Sequence, residues 1–213
     1  EESEAWLHPS RFMPIFRNPQ LVQLLGIWFF AMMAFVMMET IFAIFLKATY
    51  GFGELAVGLL FMFAGVVIIV VQGRMIGKWT KRFGEWRLVI AGPLLVAVAM
   101  GLYVVIGNYI PPVHLAVGLM ILAGLCNATW RSLQGPTLSS LVSQNSDRNM
   151  QGTVFGFYHM LGSLARVIGP LIAAAIYSHH HSGPFLLAAL MALAIAGWAF
   201  ALRNSQAVPE PAV

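Results

Sequence analysis

Three charged residues lie inside long apolar stretches of the chain: Glu39, Arg131 and Arg166. A charge at the centre of a bilayer costs roughly 2.5–3.5 kcal/mol, so each should face a protein partner or a water-filled cavity. A carboxylate can take up and release a proton, and a guanidinium can hold an anion through paired hydrogen bonds. These residue types predict proton coupling at Glu39, with Arg166 as its partner.

Polar side chains accompany these charges at helical spacing. Asn127 and Gln134 lie four residues before and three after Arg131, and His159 and Ser163 precede Arg166 in the same pattern, so each set shares one helix face. Beside Glu39 runs an aromatic and methionine stripe, for which ordinary helix packing is the alternative. The predicted substrate cavity comprises Trp28, Met32, Phe35, Asn127, Arg131, Gln134, His159 and Ser163.

Composition indicates the class of protein that holds these residues. Of the 213 residues, 59% are hydrophobic and only 9% are charged, against roughly 25% charged in soluble domains. The apolar residues fall in runs of about 20, which is long enough to cross a hydrocarbon core of roughly 30 Å. The net charge of +4 comes without an aromatic-interleaved basic surface, so no nucleic acid is expected as a partner.

The order of polar and apolar segments predicts an all-α membrane protein with six transmembrane helices. A backbone in lipid must satisfy its own hydrogen bonds, which makes every span a helix. Residues 1–19 are predicted to be a cytoplasmic linker and residues 204–213 a cytoplasmic tail, with the transmembrane domain at 20–203. The predicted spans are 20–46, 55–76, 88–107, 113–142, 152–177 and 184–202.

The distribution of lysine and arginine predicts the orientation. Nine of these residues lie on the side of a basic loop at Gly77–Arg87, and only Lys47 lies on the other side. Such clusters stay cytoplasmic. Both termini are therefore expected in the cytoplasm, with residues 47–54, 108–112 and 178–183 outside.

Apart from Arg74, at the basic end of the second span, the intramembrane charges lie in the first, fourth and fifth spans, whereas the third and sixth contain none. We therefore expect the former to line a polar cavity and the latter to face lipid. The triplet His179–His181 has no neighbouring acid or thiol, which favours a polar loop over a metal site. No motif indicates a cofactor, a catalytic triad or any other enzyme site.

The basic loop and the span order resemble the major facilitator superfamily. Its signature loop reads Gly-x-x-x-Asp-Arg-x-Gly-Arg-Arg. Gly77, Arg82 and Gly84 match it, while Lys81 stands at the acidic position and the two residues after Gly84 replace the final basic pair. This weaker form resembles the carboxyl-terminal half of the family, and Gln151–Pro170 is similar to the eleventh span of its tetracycline-efflux-like proton antiporters.

The resemblance implies a twelve-helix fold in two pseudo-symmetric halves, of which this chain is one, with substrate bound between them. It implies a transporter of the inner membrane, working as a proton-coupled exporter of small organic molecules. The expected partners are the lipid bilayer, the substrate, protons and a second six-helix half in cis or in trans. An importer or facilitator of sugars or organic anions, and a non-transporting assembly module, are the alternatives.

Cysteine accessibility checks the predicted orientation. A cysteine at position 81, in a background without Cys126, should react with a membrane-impermeant thiol reagent only after the cytoplasmic face is exposed. A cysteine at position 180 is the matched control and should react in intact cells. Labelling of position 81 from outside intact cells would reverse the orientation.

Overall fold

Six long helices make up most of the structure, a computed structural model that describes residues 13–206. They are α1 (Pro19–Tyr50), α2 (Glu54–Phe83, with a π-helical turn at Val71–Met75), α3 (Glu85–Tyr109), α4 (Val113–Gln144), α5 (Gln151–Tyr177) and α6 (Gly183–Gln206). A short helix, Met13–Arg17, precedes α1, and a 3-10 turn, Arg148–Met150, precedes α5. The prediction of six membrane-spanning helices is confirmed. The rest of the predicted linker and tail lies outside the described residues.

The first long helix has clear start and stop signals. The Asn18 side chain accepts hydrogen bonds from the backbone N–H groups of Gln20 (3.1 Å) and Leu21 (3.2 Å), as a helix N-cap does. Pro19 fits the first helical position because that position needs no N–H donor. At the other end Gly51 adopts a left-handed conformation, with φ of 68°, and closes the helix.

The basic segment is helical, and the prediction of a loop there is corrected. The second helix continues through Gly77, Lys81 and Arg82 to Phe83. The chain turns only at Gly84, whose φ of 78° is one that side-chain-bearing residues rarely adopt. Lysine and arginine are good helix formers, and in a last turn they are favoured by the negative end of the helix dipole.

The helices pack as two equivalent units of three. In the first unit α1 packs against α5 and α6, and in the second α4 packs against α2 and α3. The two units contact each other where α3 packs against α6 and where α1 touches α4. Around the bundle the order is therefore α5, α1, α6, α3, α4, α2.

This order leaves α2 and α5 with the least cover. Only 6% of the most apolar stretch of α2 and 22% of that of α5 are buried within the chain, against 44% for α3 and for α6. The third and sixth helices are thus packed on one side, while their other side exposes large apolar residues. These include Leu94, Val98, Val105, Leu186, Leu190 and Leu193.

Polar contacts tie the helix ends together at both ends of the bundle. At one end the Tyr50 hydroxyl donates to the Pro111 carbonyl at 3.0 Å. At the end that carries the basic segment, Asn18 donates through Nδ2 to the Asn145 carbonyl at 2.9 Å. The alternation of the helices between these two ends is the one that six consecutive membrane crossings require.

At the basic end, Glu85 joins the start of α3 to the end of α4. Its carboxylate accepts hydrogen bonds from the Ser140 hydroxyl and from Gln144 Nε2, the latter at 2.8 Å. Glu85 occupies a position where the family signature has a basic residue. In this chain the position therefore provides an acceptor between helices.

A close approach of α3 and α4 depends on a glycine. A Cβ added to Gly92 would lie 2.7 Å from Cδ1 of Trp130, inside van der Waals contact. Trp130 is itself buried, so its ring has little freedom to move away. The indole of Trp130 therefore packs directly on the backbone of α3.

Replacing Gly92→Ala should destabilise the protein by about 1–3 kcal/mol, the usual range for overpacking a filled interior. Gly101→Ala, in the same helix, is the control, because no atom lies within 4 Å of its added Cβ. That change should be neutral or stabilise the helix by about 0.5–1 kcal/mol. Unfolding in detergent measures both, and equal effects would contradict the close packing.

Candidate functional site

The carboxylate predicted to couple protons is on an open face of α1. Glu39 is exposed, and within residues 13–206 it makes neither a hydrogen bond nor an ion pair. Phe35, one helical turn earlier, is half-buried on the same side. The carboxylate is therefore free to accept a proton or a cation.

Arg131 reaches this face from α4. Its guanidinium carbon lies 4.9 Å from the centre of the Phe35 ring, a cation–π contact worth about 0.5–2 kcal/mol depending on desolvation. The Phe35 ring also lies 5.9 Å from the ring of Trp130, so one aromatic side chain joins the two residues of α4 to α1. This contact holds the half-buried guanidinium toward α1.

The charges of three helices interact at this place. Arg131 interacts electrostatically with Arg166 of α5 and Glu39 of α1, repelled by the first and attracted by the second. Glu39 and Arg166 thus both act electrostatically on Arg131, and the predicted pairing of Glu39 with Arg166 stays a prediction. Two guanidinium groups and one carboxylate leave this region with a net positive charge.

The predicted polar face of α5 is open. His159, Ser163 and Arg166 are all exposed on it. The Ser163 hydroxyl donates to the His159 carbonyl at 3.1 Å, so its proton is used within the helix while its oxygen can still accept. On this face, Arg166 is the residue that interacts electrostatically with Arg131.

Two members of the predicted cavity lie in the packed interior. Met32 is 2% exposed and Trp28 is 6% exposed. The Trp28 ring stacks on Tyr158 with centroids 4.2 Å apart, and its Nε1–H donates to the Tyr158 carbonyl at 2.9 Å. Gly162 makes room, since a Cβ there would lie 3.2 Å from Trp28 Nε1. Trp28 therefore joins α1 to α5 from behind the open face.

Tyr158 is a candidate site residue that the sequence reasoning missed. It is buried, its hydroxyl has no hydrogen-bond partner among the described residues, and it interacts electrostatically with Arg131. The signal was present in the sequence. Tyr158 lies on the small-residue stripe that continues through Gly162, Ala165 and Gly169, and that stripe is the buried face of α5.

The polar residues that flank Arg131 on α4 enter separate spaces. Asn127 lines an apolar pocket between α1, α2, α3 and α4, where its Oδ1 is buried without a partner among the described residues. The pocket is walled mainly by Met38, Phe42, Phe61, Phe63, Tyr103 and Met120. Gln134 lines a different, smaller cavity beside Trp130. Shared helical spacing therefore does not place these side chains in one cavity.

Metal ligands are not clustered in the described part of the chain. Within residues 13–206, no group of three or more His, Cys, Asp or Glu side chains is placed to hold a metal ion. The His179 ring instead lies 3.0 Å from the Ala175 carbonyl through Nδ1.

Comparison with known proteins gives the family. A model of the Major Facilitator Superfamily matches residues 1–170, well over half of the chain. The chain belongs to the major facilitator superfamily. Its six helices form one half of the superfamily's twelve-helix fold, and it is an integral membrane protein.

Several curated members of the superfamily are similar to this chain. Tetracycline resistance protein, class C, of Escherichia coli is 30% identical over 138 residues, covering 65% of this chain and 33% of that protein. Major facilitator superfamily domain-containing protein 10 of Bos taurus is 27% identical over 154 residues, covering 71% and 31%. Multidrug resistance protein 2 of Bacillus subtilis (strain 168) is 27% identical over 154 residues, covering 70% and 35%. The chain spans about a third of the length of these relatives.

Single cysteines separate the open face from the packed interior. In a background without Cys126, Ser163→Cys should react with a small charged thiol reagent because its side chain is exposed. Met32→Cys should stay unlabelled because residue 32 is only 2% exposed. Comparable labelling of both would contradict the packing described for α1.

Proposed function

We propose that this chain is the carboxyl-terminal half of a proton-coupled transporter that exports small organic molecules. The observation that carries the proposal is the electrostatic interaction of Arg131 with Glu39 and Arg166, which links charged residues on three apolar helices. Intramembrane charges are costly and therefore mark ion and substrate pathways. Membership of the superfamily supports transport rather than catalysis.

Proton coupling centres on Glu39. A neutral, protonated Glu39 has no charge interaction with Arg131, whereas the carboxylate attracts its guanidinium. Proton binding therefore changes the force between α1 and α4, the two helices that Arg131 and Phe35 join. Arg166 competes for the same carboxylate, and its like charge repels Arg131. A cycle of protonation at Glu39 thus changes how three helices attract one another.

The transported molecule binds on the open face of α1, α4 and α5. Phe35, Arg131, His159 and Ser163 offer it an aromatic surface, a cation and polar atoms, and the pocket at Asn127 offers an apolar recess. Trp28, Met32 and Tyr158 support this face from behind. Export is supported by two of the relatives, a tetracycline resistance protein and a multidrug resistance protein.

A second six-helix half, in cis or in trans, covers the open side. The scant cover of α2 and α5 within this chain supports the need for it. Without that half, Glu39 and Arg166 would face lipid, which is unfavourable for charged groups. In the assembled transporter both termini of this chain and the basic end of α2 are cytoplasmic, in the inner membrane.

An organic-anion carrier is the second candidate function. Two guanidinium groups against one carboxylate leave a positive site, and guanidinium binds carboxylates in paired geometry. On this alternative Arg131 and Arg166 hold the substrate, and Glu39 sets the spacing between them. Transport would then follow the anion gradient and would not require a proton gradient.

The variant Glu39→Gln distinguishes the proton-coupled exporter from the organic-anion carrier. For this test both halves are produced together and reconstituted in proteoliposomes. The amide cannot release a proton, so gradient-driven transport of a tetracycline should be abolished while exchange at equal pH persists. Glu54→Gln, an exposed acid at the start of α2, is the control and should transport normally. Full proton-driven transport by Glu39→Gln would remove this residue from the mechanism.

Arg166→Lys should also reduce transport, because an ammonium cannot reproduce the guanidinium fork.

A further inference from the structure

A small cavity lies in the interior, between α3, α4 and the first half of α1. Every side chain that lines it is buried. These are Ile27, Leu88, Val89, Pro93, Trp130, Gln134 and Leu138. The cavity is therefore separate from the open face that carries Glu39 and from the apolar pocket at Asn127.

Two polar side chains in this cavity lack partners. Trp130 Nε1 and both polar side-chain atoms of Gln134 are buried without a hydrogen bond to any described residue. Trp130 is 2% exposed and Gln134 is 5% exposed, so neither reaches solvent or lipid. Leaving a buried donor or acceptor unpaired costs about 1–3 kcal/mol. Binding of a polar molecule to these groups would therefore be energetically favourable.

The backbone of α3 has a carbonyl without its helical donor beside the same cavity. Pro93 lies inside this helix and has no N–H, so the carbonyl of Val89, four residues earlier, loses its helical donor. Both residues line the cavity. The neighbouring Gly92 brings the backbone close to the indole, since its added Cβ would lie 3.4 Å from Trp130 Nε1.

We infer that this cavity binds a single structural water molecule, which links α3 to α4. The water accepts from Trp130 Nε1–H, donates to the Val89 carbonyl, and pairs with the Gln134 amide. A buried water typically makes about three hydrogen bonds, which matches these three partners. The cavity volume of about 10 Å³ is at the lower limit for one water, roughly 10–15 Å³, and excludes a larger ligand.

Two other tryptophans provide internal controls for this site. The Trp28 indole N–H donates to the Tyr158 carbonyl at 2.9 Å, and the Trp198 indole N–H donates to Gln23 Oε1 at 3.1 Å. Both donors already have protein acceptors. Of these three indoles, only that of Trp130 should therefore contact a bound water.

Nuclear magnetic resonance tests the inference without any transport assay. The whole protein, as produced in its membrane, is labelled with ¹⁵N-tryptophan and transferred to lipid nanodiscs. The Trp130 indole signal is assigned by its loss in Trp130→Phe. A magnetisation-transfer peak between this indole proton and water is expected, with none for Trp28 or Trp198. Absence of the Trp130 peak, or transfer directly to the Gln134 side chain in its place, would overturn the inference.

Gln134→Leu gives the second arm of the test. The water then keeps only the Trp130 donor and the Val89 acceptor, fewer than the usual three partners, so the water peak of Trp130 should lose intensity while the Trp28 signal is unchanged. Gln72→Leu, an exposed glutamine on α2, is the matched control and should keep the peak. If the leucine variant does not fold, Gln134→Met replaces it with the same expected loss. A peak of unchanged intensity in a folded variant would contradict the role of Gln134.

Discussion

The hydrocarbon core of a bilayer offers no water, so every backbone and side-chain polar group there must find a partner within the protein. This constraint explains why the described chain is almost entirely helical and why its inter-helix hydrogen bonds gather at the helix ends. It also explains why the few polar groups in the interior indicate where other polar groups or ligands bind. Some of them are paired, as Trp28 is with the Tyr158 carbonyl, and others, such as Asn127 and Gln134, line pockets where something polar can bind.

The same constraint determines how much of the fold could be predicted from the sequence. Hydropathy runs give the number and order of the helices, because nothing else of that length is stable in lipid. The helical course of the basic segment could not be read in this way, since charge density indicates contact with water and says little about backbone conformation. Only Gly84, with its positive φ, ends α2.

Helical spacing predicted which polar side chains share a helix face, but it did not predict what surrounds each of them. His159, Ser163 and Arg166 share an open face on α5, as their spacing suggested, because no neighbouring helix of this chain covers that side. On α4 the same spacing was insufficient. Neighbouring helices divide the space around α4, so Asn127 enters one pocket and Gln134 another. Which cavity a side chain enters depends on helix order and contact, and a single sequence does not contain that information directly.

The two sides of α4 explain why its middle turn is suited to a functional role. On one side Trp130 packs on the α3 backbone at Gly92, where a single added carbon would clash. On another, Arg131 extends over Phe35 toward the charges of α1 and α5. Consecutive residues thus combine a fixed support with a charged group whose partners can change. Phe35 contacts both the Trp130 ring and the Arg131 guanidinium, so the proposed response of α1 to a change of charge at Glu39 would act on Arg131 while Trp130 stays packed against α3.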